Sequence, residues 1–205
     1  MRVFILLVLL TSAVGEFAPQ APHARRLTIP EAIEQAKPLV PRWGSRLREL
    51  APRPFEQAVA ESDFIVAATL QSLGSYLSAD KTDIYTDYRI IASDSIARRA
   101  ARGGNTSPTA LILRQWGGHV VVNDVPVDFI DDNMPMLPTD VPLLLLLTFN
   151  PTVGKFEVFD AIAGAFEIQR DGRLRHLSMP TVQYYERFNG MAFGQAVREI
   201  HSLGR

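Results

Sequence analysis

Between Asp63 and Leu177 the chain runs through short apolar stretches, several alternating apolar with polar residues, bounded by glycine, proline, asparagine or aspartate. That pattern belongs to β-strands. Phe64 to Leu73 and Ile84 to Ala92 are the first two, and the polar residues of Ser75 to Asp83 between them predict an antiparallel hairpin. Thr109 to Trp116 is a third, Gly117-Gly118 permits a bend or bulge, and Val120 to Val122 continues beyond it. Val141 to Phe149 contains consecutive leucines from Leu143 to Leu147, which predicts a central strand entered at Pro142. The turn residues Asn150 to Gly154 return the chain through Lys155 to Phe159. Ala165 to Gln169 then pairs through Asp171-Gly172 with Leu174 to Leu177, Asp-Gly being a strong hairpin signal.

Helical spacing is confined to the ends of the chain. Thr28-Ile29-Pro30-Glu31 combines a capping hydroxyl, a proline tolerated in the first turn and a glutamate that reaches back, so a helix is predicted from about Ile29 to Lys37. Pro38 and Pro41 stop it. Trp43, Leu47 and Leu50 mark a second short helix, and Phe55 to Ala60 a third. Ala192, Val197, Ile200 and Leu203 repeat on one face and predict a closing helix from about Phe193 to Leu203. The expected fold is mainly β with flanking helices, an antiparallel barrel or sandwich of about six strands.

The first residues have another purpose. A charged start at Met1-Arg2, an apolar run from Val3 to Leu10 and small residues up to Gly15 read as an export signal cut before Glu16. The run is too short to cross a bilayer, which needs roughly 20 residues. A retained anchor is the alternative. The expected organisation is a signal over 1–15, a proline- and arginine-rich lead over 16–54, a β domain over 55–178 and a C-terminal segment with a packing helix over 179–205. The chain has no cysteine, which removes disulfides, thiolate chemistry and a lipidated N-terminal cysteine. An exported domain of this size without disulfides favours a bacterial periplasmic or extracellular setting over a eukaryotic one, against the isolated sequon Asn105-Thr106-Ser107. The central part from Glu61 to Ile168 carries 7 basic and 14 acidic residues, and both flanks are mildly basic. A nucleic-acid partner would call for a basic stripe instead.

Ser62-Asp63-Phe64-Ile65-Val66-Ala67-Ala68-Thr69, followed by Ile84-Tyr85-Thr86-Asp87, Gly117-Gly118, the leucine strand and Gly164-Ala165-Phe166, resembles a group of exported bacterial proteins. In that group an alanine- or serine-aspartate opens the first strand and a tyrosine-threonine pair opens the second. The resemblance implies an OB-like barrel, the oligonucleotide/oligosaccharide-binding fold, similar in outline to tissue-inhibitor and netrin-like modules. It covers roughly Phe55 to Leu177 and implies no activity. The chain lacks the cysteines of the inhibitor-like modules, so their binding edge does not carry over, and no site residue transfers.

Candidate chemistry is sparse. Asn123 to Asn133 concentrates oxygen ligands suited to a hard cation, with Asp124, Asp128, Asp131 and Asp132 as metal candidates and His119 nearby. The same segment lacks the glycine and closing glutamate of a helix-loop-helix calcium site, and its alternation equally describes a strand with one wet face. Trp116, Tyr85 and Tyr88 are the candidate ligand-binding aromatics, set among Tyr76, Tyr184 and Tyr185, with core packing as the competing explanation. Gly103-Gly104 after three arginines has no strand-to-helix context for a phosphate cradle, and no GxSxG turn offers a serine nucleophile. The expectation is an exported, non-enzymatic binding or interaction module for an unknown protein, peptide or carbohydrate ligand, with no cofactor and no membrane contact after signal cleavage. The alternative is a metal-dependent or acid-base hydrolase using His119 and the Asp124 to Asp132 loop.

Overall fold

The computed structural model describes residues 27–36, 54–98, 111–129, 135–160, 163–177 and 187–203. The export-signal, Trp43 to Leu50 helix, Gly103-Gly104, Asp131, Asp132 and Tyr184-Tyr185 readings lie outside them. In chain order the elements are α1 (Ile29–Ala36), α2 (Phe55–Glu61), β1 (Phe64–Leu77), β2 (Ile84–Arg98), β3 (Ile112–Trp116), β4 (Gly118–Val122), β5 (Val125–Phe129), β6 (Leu143–Asn150), β7 (Lys155–Val158), β8 (Ala165–Ile168), β9 (Leu174–His176) and α3 (Phe193–Leu203). Among the described residues no helix is long and apolar enough to cross a membrane.

A seven-stranded mixed sheet runs in the order β1-β2-β3-β7-β6-β8-β9, and β1 also pairs with β6, while β4 and β5 form a separate two-stranded sheet. The pairings therefore lead from β1 through β2, β3, β7 and β6 back to β1. A cycle with an odd number of strands cannot be antiparallel at every seam. The seam between β3 and β7 is parallel, joined at Leu113 and Phe156, which corrects the expectation of a wholly antiparallel sheet. The first hairpin is also longer than its apolar pattern suggests. β1 reaches Leu77 and β2 reaches Arg98, because cross-strand pairing continues through the polar residues, with register shifts at Ile65/Val66, Ala67/Ala68 and Ser72/Gly74. Such bulges bend and twist a long ribbon enough to close on a neighbour.

The five leucines of β6 have a direct explanation. Leu143, Leu145 and Leu147 face one apolar cluster with Phe64, Val66, Leu70, Tyr88 and Leu113, while Leu144 and Leu146 face another with Ile65, Ala67, Phe166 and the helices. A strand buried on both faces loses the polar half of its alternation. The second cluster is roofed by α2 through Phe55, Ala58 and Val59, and by α3 through Ala196 and Ile200. Ala192, expected on the buried helical face, instead precedes α3, is exposed and bridges Arg173.

α1 seals a third cluster. Ile29 and Ile33 pack against Ile84, Val122, Val127 and Phe129, and the Ile29 amide donates to the Lys81 carbonyl at 2.8 Å. Its capping box forms as the sequence predicts, the Thr28 amide donating to Glu31 Oε2 at 2.9 Å and the Glu31 amide to Thr28 Oγ1 at 3.4 Å. An eight-residue helix is marginal alone, so this apolar seat holds it in place.

At the far edge, His176 on β9 lies against Phe166 at 4.8 Å between ring centroids and donates from Nε2 to the Ala163 carbonyl at 2.9 Å. Burial pushes its pKa below the ordinary histidine value, and that hydrogen bond opposes the shift without cancelling it. The folded chain thus binds fewer protons here than the unfolded one. Its contribution is full above the unfolded value of about 6.5 and is lost as pH falls through the depressed folded value. Urea midpoints of the His176→Gln variant, which keeps a donor, are expected to fall less steeply below about pH 6.5 than those of the wild type. Parallel slopes would remove His176 as the source.

Candidate ligand-binding face

Cross-strand register brings three aromatic residues into one row. Tyr76 on β1 stands opposite Tyr85 on β2, and Tyr85 stands opposite Trp116 on β3. Directly opposed residues share a face of the sheet. This is the face away from the cluster containing Tyr88 and Leu113, and all three side chains are half-buried. The Tyr76 and Tyr85 ring centroids are 6.3 Å apart. Trp116 forms the rim of the row: its ring meets Phe129 edge-on at 4.4 Å and its Nε1 donates to Asp83 at 3.0 Å. The structure therefore brings Tyr85 and Trp116 together and separates Tyr88 from them. Tyr88 is 2% exposed, hydrogen-bonds Gln115 at 3.3 Å, and burial pushes its phenol up to about 12.

The next row is Gly74, Asp87 and Arg114. Gly74 is exposed, has φ +117°, and has no atom within 4 Å of the point where a Cβ would stand. Lys155, from β7, donates to Tyr76 Oη at 3.0 Å and to Asp87 Oδ2 at 2.5 Å, and Tyr76 Oη donates to Asp87 Oδ1 at 3.1 Å. Arg114 pairs with Glu157 at 2.7 Å and lies over the Tyr85 ring at 4.3 Å, with Asn150 completing the Glu157 contacts at 3.1 Å. Burial alone would lower Lys155, but the hydrogen bonds it donates to Asp87 and Tyr76 outweigh that and hold the ammonium above its ordinary range. Lys155 is thus a fixed cation rather than a nucleophile. Burial, then the nearby Asp83 charge, raises the Tyr85 phenol. Both ion pairs also tie β7 to β2 and β3 across the single-pair parallel seam.

Of the acidic candidates, Asp124 and Asp128 fall on the β4–β5 hairpin, whose turn places Asn123 and Asp124 at positive φ, as a tight two-residue hairpin turn requires. Val127 and Phe129 face the core while Asp128 faces outward, so half of the segment is a strand with a wet face. His119 opposes Asp128 in register, and its Nδ1 contacts the Asp128 carboxylate. Both side chains are at least half exposed, which makes this a pair worth about 0–1 kcal/mol. Asp124 lies at the hairpin tip, roughly 10 Å or more along the strand from that pair. Among the described residues no three histidine or acidic side chains come together to hold a metal.

Sequence reasoning singled out Tyr85 and Trp116 but passed over Gly74, Asp87, Arg114 and Lys155. The period-two pairs Tyr85/Asp87 and Arg114/Trp116 were a usable signal, since each places an aromatic and a charge on one strand face. Lys155 and Glu157 reach the site through a seam that no local pattern specifies. No known family model matches the chain, and no curated protein matches it.

Proposed function

We propose that this chain is an exported, non-enzymatic binding module on an OB-like barrel, which takes its ligand on the face bearing Tyr76, Tyr85 and Trp116. The observation that carries the reading is the aromatic row, set in register across three strands. The cyclic order β1-β2-β3-β7-β6-β1 with one parallel seam supports the barrel, and small barrels of this type bind ligands on the face of their second and third strands. A site on strands whose charges are already paired is preorganised for binding. The leader over 1–15 supports release into the periplasm or beyond as a chain starting at Glu16.

The test is affinity capture from bacterial envelope extracts by the mature chain and by a Tyr76→Ala/Tyr85→Ala variant, with far-ultraviolet circular dichroism confirming that both fold. A ligand held by the wild type and lost from the variant is expected. Equal retention by both would remove this face as the site. Recovery of an intact Met1 on the exported protein would overturn processing.

A further inference from the structure

We infer that the aromatic row takes the chain's own N-terminal end as an intramolecular ligand: Pro19-Gln20-Ala21-Pro22-His23-Ala24-Arg25 lies across Trp116, Tyr85 and Tyr76. An external ligand must displace it. This rests on the reading of the aromatic row as the ligand face. The described chain begins at Leu27, and two residues later the Ile29 amide donates to the Lys81 carbonyl, in the turn that joins β1 to β2. Asp83 of the same turn accepts from Trp116 Nε1 at 3.0 Å. The residues before Leu27 are therefore tied to the Trp116 end of the row. From Ile29 back to Pro19 they can span about 31 Å as a polyproline II helix, and Tyr85 lies only two residues beyond Asp83 along β2.

Spacing and charge fit this occupant. Pro19, Pro22 and Arg25 recur every third residue, the period of polyproline II, so they share one edge of that helix at intervals of about 9 Å. Tyr76 and Trp116 stand two strand spacings apart, about 10 Å. Pro22 then meets Trp116, Pro19 meets Tyr76, and Arg25 falls at the turn. Proline-rich segments dock on such aromatic surfaces because their conformation is largely set before binding. Lys155, 5.0 Å from the Tyr76 ring, and Arg114, 4.3 Å from that of Tyr85, hold both rings in place, which lowers the cost further. Beside the row Asp87 cancels Lys155 and Glu157 cancels Arg114. At the attachment end Asp80, Asp83, Glu31 and Glu34 outnumber Lys81, and this acidic excess complements Arg25 and Arg26. Tethering does the rest. A short tether gives an effective concentration on the order of 1 mM, so a segment of only millimolar affinity is docked about half of the time.

The cysteine-free chain accepts a single spin label. The mature, isotope-labelled protein is made as Gln20→Cys carrying a nitroxide. Broadening of the Tyr76 and Tyr85 amides and the Trp116 indole N–H is expected, while the Ile200 amide in α3 stays sharp. Adding Pro19→Ala/Pro22→Ala, which keeps the tether length and leaves the described fold untouched, is expected to reduce the broadening at least about threefold. An unbroadened row, or equal broadening with and without the prolines, would overturn the inference. So would equal broadening when a second, isotopically unlabelled copy carries the nitroxide, since the segment then docks on a neighbouring molecule. If the row stays sharp but an envelope ligand is lost with Tyr76 and Tyr85, the internal ligand fails while the binding face stands. A sharp row together with a ligand retained by that double variant removes both.

Discussion

Gly118→Ala is expected to destabilise the protein by about 3 kcal/mol, the sum of backbone strain at positive φ and of overpacking. Gly118 is buried, has φ +142°, and a Cβ there would stand 2.3 Å from Thr86 Oγ1 and 2.4 Å from Ser75 Oγ. Neither hydroxyl can give way. Thr86 donates to the Gly117 carbonyl at 2.8 Å, so its remaining capacity accepts from Ser75 at 2.8 Å, and Ser75 in turn accepts the His119 amide at 3.3 Å. That chain of bonds fastens the β4–β5 hairpin to β1 and β2, and through the hairpin it supports the seat of α1. The control is Gly154→Ala, also at positive φ (+67°) but with nothing within 4 Å of the added carbon. It should cost only about 1 kcal/mol. Urea midpoints of the two variants separate crowding from backbone strain. Equal losses would show that the lock around Thr86 contributes nothing beyond conformation.

Thr86 and Gly118 are not alone in fixing how neighbouring elements meet. Ser62 Oγ donates to the Ala58 carbonyl at 2.7 Å and ends α2. Asp63 accepts the Phe149 amide at 2.8 Å, while its own amide donates to Leu147, fixing the start of β1 against β6. A Cβ on Gly164 would stand 2.9 Å from the Leu146 carbonyl oxygen. A motif made of a helix stop, a strand clamp, a hydroxyl lock and two close backbone approaches specifies how strands meet. It says nothing about what they bind.

Local chemistry was legible for the same reason. The Thr28/Glu31 box, the Asp171-Gly172 hairpin and the Asn150 to Gly154 turn each form where short-range spacing places them. The leucine run marks β6 because burial on both faces removes alternation. Three features were hidden. The extension of β1 and β2 runs through Ser75, Asp94 and Ser95, residues whose pairing depends on the partner strand rather than on their own apolarity. The parallel seam joins segments 43 residues apart, as the Arg114–Glu157 bond shows, and follows from closing five strands rather than from any local signal. Half of the candidate face is assembled across that seam, so its aromatic row was more legible in the sequence than its charges. Asp128 carried two readings in the sequence, a cation ligand and a strand with one wet face, and it stands on the wet face of β5 opposite His119.

Phe188→Ala is expected to be the most damaging single truncation under the helical roof, at about 4 kcal/mol for a fully buried phenylalanine. Its ring is 0% exposed, 3.8 Å from that of Phe55 and 6.1 Å from that of Phe166, so it joins α2 to β8. Arg187 beside it pairs with both Glu56 and Glu199, tying α2 to α3, but those exposed bonds contribute little once the ring is gone. The roof cluster and the cluster inside the strand cycle share β1 and β6 yet bury different side chains of each. The loss should therefore appear unevenly. Native-state hydrogen exchange is expected to accelerate first at Ile200 in α3 and Val59 in α2, while Val66 and Leu145 retain protection until global unfolding. If all four sites accelerate together, roof and strand cycle unfold as one unit, and α2 and α3 are then integral to the β-structure rather than a layer added to it.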